Sequence, residues 1–131
     1  MSKQKNINAK KSLPETRDSV IKKVTLDNYD FYIIASMYED KTLGEVAIVS
    51  SKLGSNMRGC LEAFSISFSM GLQKGITLDE YADNLEGLFF VPNGWVKDRD
   101  IDGVTSIVDY TIKWLKLRFP ASLNVTSGVE V

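Results

Sequence analysis

The sequence contains no histidine, and Cys60 is its single cysteine among 131 residues. Without histidine, the commonest general base and metal ligand at neutral pH is missing. A zinc site, a Ser-His-Asp triad and a Cys-His dyad are therefore excluded. One cysteine cannot close an internal disulfide, which suits a reducing cytoplasm. Neither sign of charge dominates: 16 Lys and Arg face 17 Asp and Glu, a formal net charge of −1. Nothing global calls for nucleic acid, and duplex DNA is not an expected partner. No run approaches the ~18 apolar residues of a membrane span. The N-terminus, MSKQKNINAKK, is basic but has no apolar stretch, so it does not read as a secretory signal. A cytoplasmic chain with one domain and a real core is expected.

The stretch that organises the chain is 54–75, GSNMRGCLEAFSISFSMGLQKG. Leu61, Phe64, Phe68 and Leu72 recur at helical spacing, with Cys60, Ala63, Ile66 and Met70 beside that stripe. A helix apolar over most of its circumference, with serines elsewhere, is expected to pack on more than one side. Ser55 or Asn56 is its expected N-cap, and Gly75 sits where a left-handed C-terminal residue is wanted.

Upstream, residues 1–18 are polar and basic and read as a flexible arm, either solvated or lying on a neighbour or an anion. Residues 20–26 alternate as a half-buried strand. Asp27-Asn28 is turn chemistry, 29–38 reads as a central strand and 45–50 as a third. Three strands with short links give an antiparallel meander. Downstream, Thr77 with Glu80 three residues on has capping-box spacing and opens a short helix over 78–85. LFFV at 88–91 reads as a strand stopped by Pro92, and Asn93-Gly94 as a turn. A polar loop leads to a second long helix over 104–119, with Asp102 as its cap, and 121–131 forms a polar tail. The order β-β-β-α-α-β-α, with helices gathered on one face of an antiparallel sheet, is the α+β class. The domain proper is expected over 19–120.

LPETRDSVIKKV, YEDKTLGEVAI, GSNMRGCLEAFSISFSMGLQKGITLDEY, FVPNG and SIVDYTIKWLKLRF, in that order, resemble the C-terminal TSCPD domain of vitamin B12-dependent (class II) ribonucleotide reductases. The similarity covers roughly residues 13–120. The catalytic barrel, with its radical-relay cysteines, cobalamin surface and terminal redox cysteine pair, has no counterpart here. Where the family has Gly-Ser-Thr at the helix start, this chain has Gly54-Ser55-Asn56. Where the family has Phe-Glu-Pro-Ser-Gly, it has Phe90-Val91-Pro92-Asn93-Gly94, so the acidic position is a valine.

Two constellations are candidates for ligand binding. Ser55, Asn56 and Arg58 gather at a helix N-terminus, where free N–H groups, the dipole and a guanidinium favour a phosphate or carboxylate. The alternative is that Arg58 pairs with Glu62 one turn on. Phe90, Asn93 and Trp95 set aromatics beside an amide, a combination that can stack and read a base, with Lys97 and Arg99 to hold phosphates. Strand alternation would turn only one of Phe89 and Phe90 into the core. DRDIDG at 98–103 resembles the acidic start of a calcium loop, but position twelve is Asp109, inside the helix, so it reads as a solvated loop. Cys60 reads as a buried core residue. No metal and no cofactor are expected.

With no histidine and no singled-out carboxylate pair, the chain is not expected to be an enzyme by itself. The expected function is non-catalytic binding of a nucleotide-like anion, as in a viral protein that sequesters a nucleotide immune signal. The alternative is an accessory or split C-terminal subunit of a B12-dependent ribonucleoside-diphosphate reductase, acting through contacts with the catalytic subunit. A homo-oligomer is expected in either case.

Overall fold

The computed structural model describes residues 9–50 and 54–120; of Ser55 only the backbone is described. The first part of the expected basic arm and the expected polar tail lie outside these residues. The chain forms strands β1 (Ser19–Leu26), β2 (Tyr29–Met37) and β3 (Leu43–Val49), then helices α1 (Ser55–Gln73) and α2 (Leu78–Leu85). Two-residue strands β4 (Gly94–Trp95) and β5 (Gly103–Val104) follow, and then helix α3 (Ile107–Arg118). The class is α+β. Two compact units are present: one holds the residues up to Thr25 and Tyr29–Ile76, the other Leu26–Asn28 and the residues from Thr77 on.

The first unit is the antiparallel meander β1-β2-β3 with α1. Asp27 and Asn28 both have positive φ, 48° and 75°, which a two-residue hairpin of the right twist requires. Alternation sends Val24, Phe31, Ile33, Ala35, Val46 and Ile48 to the buried side. Ile21, Tyr32 and Val49, from the opposite side of the pleat, are exposed. β2 pairs β3 in register, Ile33 with Ile48 and Ala35 with Val46, up to a shift at Ser36 and Met37.

α1 meets the sheet along β3, and here Ser65 and Ser69 do the opposite of what the pattern suggests. They point inward. Ser65 Oγ accepts from Ile48 N at 3.0 Å, and Ser69 Oγ accepts from Val46 N at 2.9 Å and donates to Val46 O at 3.0 Å. Gln73 Nε2 donates to Gly44 O at 3.0 Å. These three residues, four apart, share one helix face. They satisfy the β3 backbone groups that face away from β2, an edge that would otherwise stay open. Phe68 and Leu61 fill the buried remainder.

The described residues do not wrap the helix on its other sides. Ile66 and Met70 are exposed, and Cys60, expected in the core, is exposed too. The expected cap also shifts: Gly54 is the N-cap, with no side-chain cap bond, and Ser55 is already helical. Near the end of α1, Lys11 N donates to Gln73 O at 2.7 Å and Tyr38 Oη to Lys11 O at 2.5 Å.

Within the second unit, Leu26 forms an isolated antiparallel bridge with Val96.

The second unit packs α2 and α3 with the β4–β5 ribbon. Thr77 and Glu80 form the expected capping box. The strand expected at 88–91 is not one. Its ladder amounts to a single backbone bond, Phe90 N to Thr105 O at 3.0 Å. Pairing comes later, Gly94 with Val104 and Trp95 with Gly103. Val104 therefore lies in the ribbon rather than in the helix. Ser106, not Asp102, caps α3, accepting from Asp109 N at 3.0 Å. Among the described residues no helix is long and apolar enough to cross a membrane.

Candidate functional site

The candidate residues fall in both units, and each group is described within its own. At the start of α1, Asn56 and Arg58 are exposed. Arg58 makes no ion pair among the described residues, so Glu62 does not hold it. The first turn carries no acidic residue. Arg58 is thus available to an anion, beside the positive end of a nineteen-residue helix.

In the second unit, the turn at 89–95 brings Phe90, Asn93 and Trp95 into one short segment. Asn93 is half-buried, with Nδ2 3.5 Å from Phe90 O. Pro92 is buried, after a cis Val91–Pro92 bond. Gly94 has φ 124°, a conformation that disfavours any side chain.

Sequence alternation left the two phenylalanines open. Phe89 is the one in solvent, 71% exposed, and Phe90, the residue nominated for stacking, is half-buried. Of the pair that alternation left open, Phe89 is therefore the one placed to meet a ligand, in place of Phe90.

Among the described residues Trp95 is the most exposed large apolar one, at 77%. Its backbone oxygen accepts from Asp27 N at 3.3 Å and fixes its position. Its ring lies beside Gly103, where an added Cβ would stand 3.7 Å from the ring atoms. Lys97 and Arg99 follow on the same segment, both exposed and without an ion pair among the described residues. Gly103 also lines an open groove of about 510 Å³, with Glu86, Asp100, Asp102, Lys113 and Lys116 around it.

The loop between β4 and β5, read from the sequence as simply solvated, is anchored through Asp98 and Tyr110. Asp98 Oδ2 accepts from Tyr110 Oη at 2.6 Å, and Oδ1 from Asp100 N at 2.9 Å. Burial, and then the Asp98 carboxylate, push the Tyr110 phenol far above its ordinary range, so it stays protonated and donates. Asp98 is committed to this structure. Among the described residues no group of three or more Cys, Asp or Glu is placed to hold a metal.

Behind the ribbon, Asp109 is wholly buried. Its carboxylate accepts from Gly87 N at 2.7 Å, Thr105 N at 3.0 Å and Lys113 Nζ at 3.0 Å. Burial alone would raise its pKa. The Thr105 N–H, Lys113 and the Gly87 N–H outweigh that and hold it below the usual carboxylate range.

This chain belongs to the TSCPD domain family: that domain is matched over residues 5–119. Its relatives include vitamin B12-dependent ribonucleotide reductases. That of Streptomyces avermitilis is 38% identical over 110 residues, 84% of this chain and 11% of the reductase. That of Bradyrhizobium diazoefficiens is 33% identical over 117 residues, 88% of this chain and 9% of the reductase. That of Rhodopirellula baltica is 29% identical over 118 residues, 90% and 11% respectively. The chain thus spans about a tenth of the length of these relatives. No solved structure matches it.

Proposed function

We propose that this chain is a non-catalytic binder of a nucleotide-like anion, with the base stacked on Trp95. The observation that carries the reading is Trp95 itself, an indole 77% exposed on a fixed backbone. An exposed tryptophan with one ring face beside Gly103 leaves the other for a flat partner. Phe89 and Asn93 stand on the same turn to flank and read that base. Lys97 and Arg99 supply cations for phosphates; Asn56 and Arg58, in the first unit, form a separate anion site of their own. The ribonucleotide chemistry in the name of the relatives supports the ligand class. In its finer form the protein is viral and cytoplasmic, and it sequesters a nucleotide signal of host immunity.

Isothermal titration against cyclic and ADP-ribose-derived nucleotides tests this. Stacking on an aromatic is worth ~1–3 kcal/mol per base. Trp95→Ala is therefore expected to weaken binding by about ten- to a hundredfold, with the fold unchanged by circular dichroism. No heat with any nucleotide, at high protein concentration, ends the proposal.

A second reading is favoured by the identity to the reductases. Here the chain acts as a C-terminal part of a B12-dependent reductase, through protein contacts. Co-purification with a reductase that lacks this module supports it; failure to co-purify counts against it.

A further inference from the structure

α1 presents a face that the other described residues leave uncovered. Along it run Gly59, Ala63, Ile66 and Met70, at alternating spacings of four and three residues. That is the spacing of a helix–helix seam. Ile66 is 55% and Met70 53% exposed.

Gly59 sharpens the point. It lies inside the helix, where glycine is, proline apart, the least favourable residue. Its φ is not positive, and a Cβ built there meets nothing within 4 Å. Nothing among the described residues therefore requires a glycine at this position. Close approach of another backbone would.

The distribution of size along the face identifies the occupant. The small residues, Gly59 and Ala63, stand in the N-terminal half, and the large ones, Ile66 and Met70, in the C-terminal half. A second copy laid antiparallel sets Met70 of one copy against Gly59 of the other, and Ile66 against Ala63. The face is complementary to itself under a two-fold axis.

Charge points the same way. α2 carries Asp79 and Glu80 in its first turn, and α3 carries Asp109 in its first turn with Lys116 and Arg118 in its last. α1 has no acid in its first turn and no base in its last; the nearest, Lys74, comes only at the cap. An antiparallel copy brings the negative end of one helix beside the positive end of the other, complementing both.

We propose that the protein forms a two-fold dimer through α1, antiparallel, with Met70 seated on Gly59 and Ile66 on Ala63. This is independent of the nucleotide reading, which uses other side chains. A single helix pair is a small interface, so the dimer dissociates on dilution.

Sedimentation velocity over a range from micromolar to submillimolar protein tests it. The expected result is a monomer–dimer equilibrium. Gly59→Leu should fill the hollow and raise the dissociation constant at least tenfold, while circular dichroism and melting temperature show an intact, no less stable fold. Met70→Ala should weaken the dimer too. Combining Gly59→Met with Met70→Ala exchanges large for small and should restore association, which happens only if the two positions face each other.

Cysteine chemistry fixes the direction. In the antiparallel pair the two Cys60 residues stand about 13 Å apart along the axes, at ~1.5 Å per residue. That exceeds the reach of a disulfide, so Cys60 should not cross-link the dimer on mild oxidation. Gly59→Cys combined with Met70→Cys, in a Cys60→Ser background, should. A monomer at every concentration overturns the proposal. So does a dimer indifferent to Gly59→Leu and Met70→Ala, or one cross-linked through Cys60.

Discussion

α1 and α3 solve the same problem with different chemistry. Each lies against backbone whose polar groups lack a ladder partner, and each supplies side chains to pair them. α1 uses neutral groups, Ser65, Ser69 and Gln73, spread along the edge of β3. α3 concentrates the task in one buried carboxylate, Asp109, which ties Gly87, Thr105 and Lys113. Distributed neutral bonds lose little when one is removed, and they are indifferent to pH. A single buried charge is costly to disturb and ties its unit to the proton concentration.

The sharpest way to break this comparison is Asp109→Ala. It leaves two N–H groups and an ammonium without their acceptor, and removing one partner of a buried pair costs about 3–5 kcal/mol. Urea unfolding should show that loss; a cost below about 1 kcal/mol would mean that water or neighbours replace the carboxylate. Ser69→Ala should cost less, about 1–3 kcal/mol, because it strands one N–H and one C=O of Val46. Hydrogen exchange at the Val46 amide should quicken in that variant.

Acid separates the two helices further. The folded pKa of Asp109 lies below its unfolded value, so the stabilisation is complete above the unfolded value of about 3.9 and is lost as pH falls through the folded pKa. Asp109→Asn, less stable at neutral pH, should therefore lose less on acidification than the native chain, and the two curves of urea midpoint against pH should converge. The curve for Ser69→Ala should run parallel to that of the native chain. The smallest effect is expected at Trp95: Trp95→Ala should change stability by no more than ~0.5 kcal/mol, because its ring is largely in solvent. A larger loss would make the indole structural and remove the reason to assign it to a ligand.

Much of the framework was legible in the residues. Alternation marked all three strands, Asp27-Asn28 marked the hairpin, and Thr77 with Glu80 marked the capping box. What escaped was polar function inside apolar patterns. Hydrophobic periodicity assigns Ser65 and Ser69 to the surface because it does not know that a strand edge needs donors and acceptors. The same pattern put Cys60 inside and gave Asp109 no special place among its apolar neighbours. Two-residue strands have no period to detect, so the sequence shows Gly94 as turn, Trp95 and Gly103 as loop and Val104 as helix, and LFFV as the strand instead.

Of the candidate site, the cations at 97 and 99 and the indole at 95 were visible as residue types in sequence. Which phenylalanine faces solvent depends on the path of the chain at 88–91, and that path follows from the bonds to Thr105 rather than from alternation.

The hydroxyls of α1 have one more effect. A stray strand arriving at β3 finds its hydrogen-bonding sites already taken, so templated growth from that side is blocked while the helix stays folded. Melting of α1 would uncover those β3 groups.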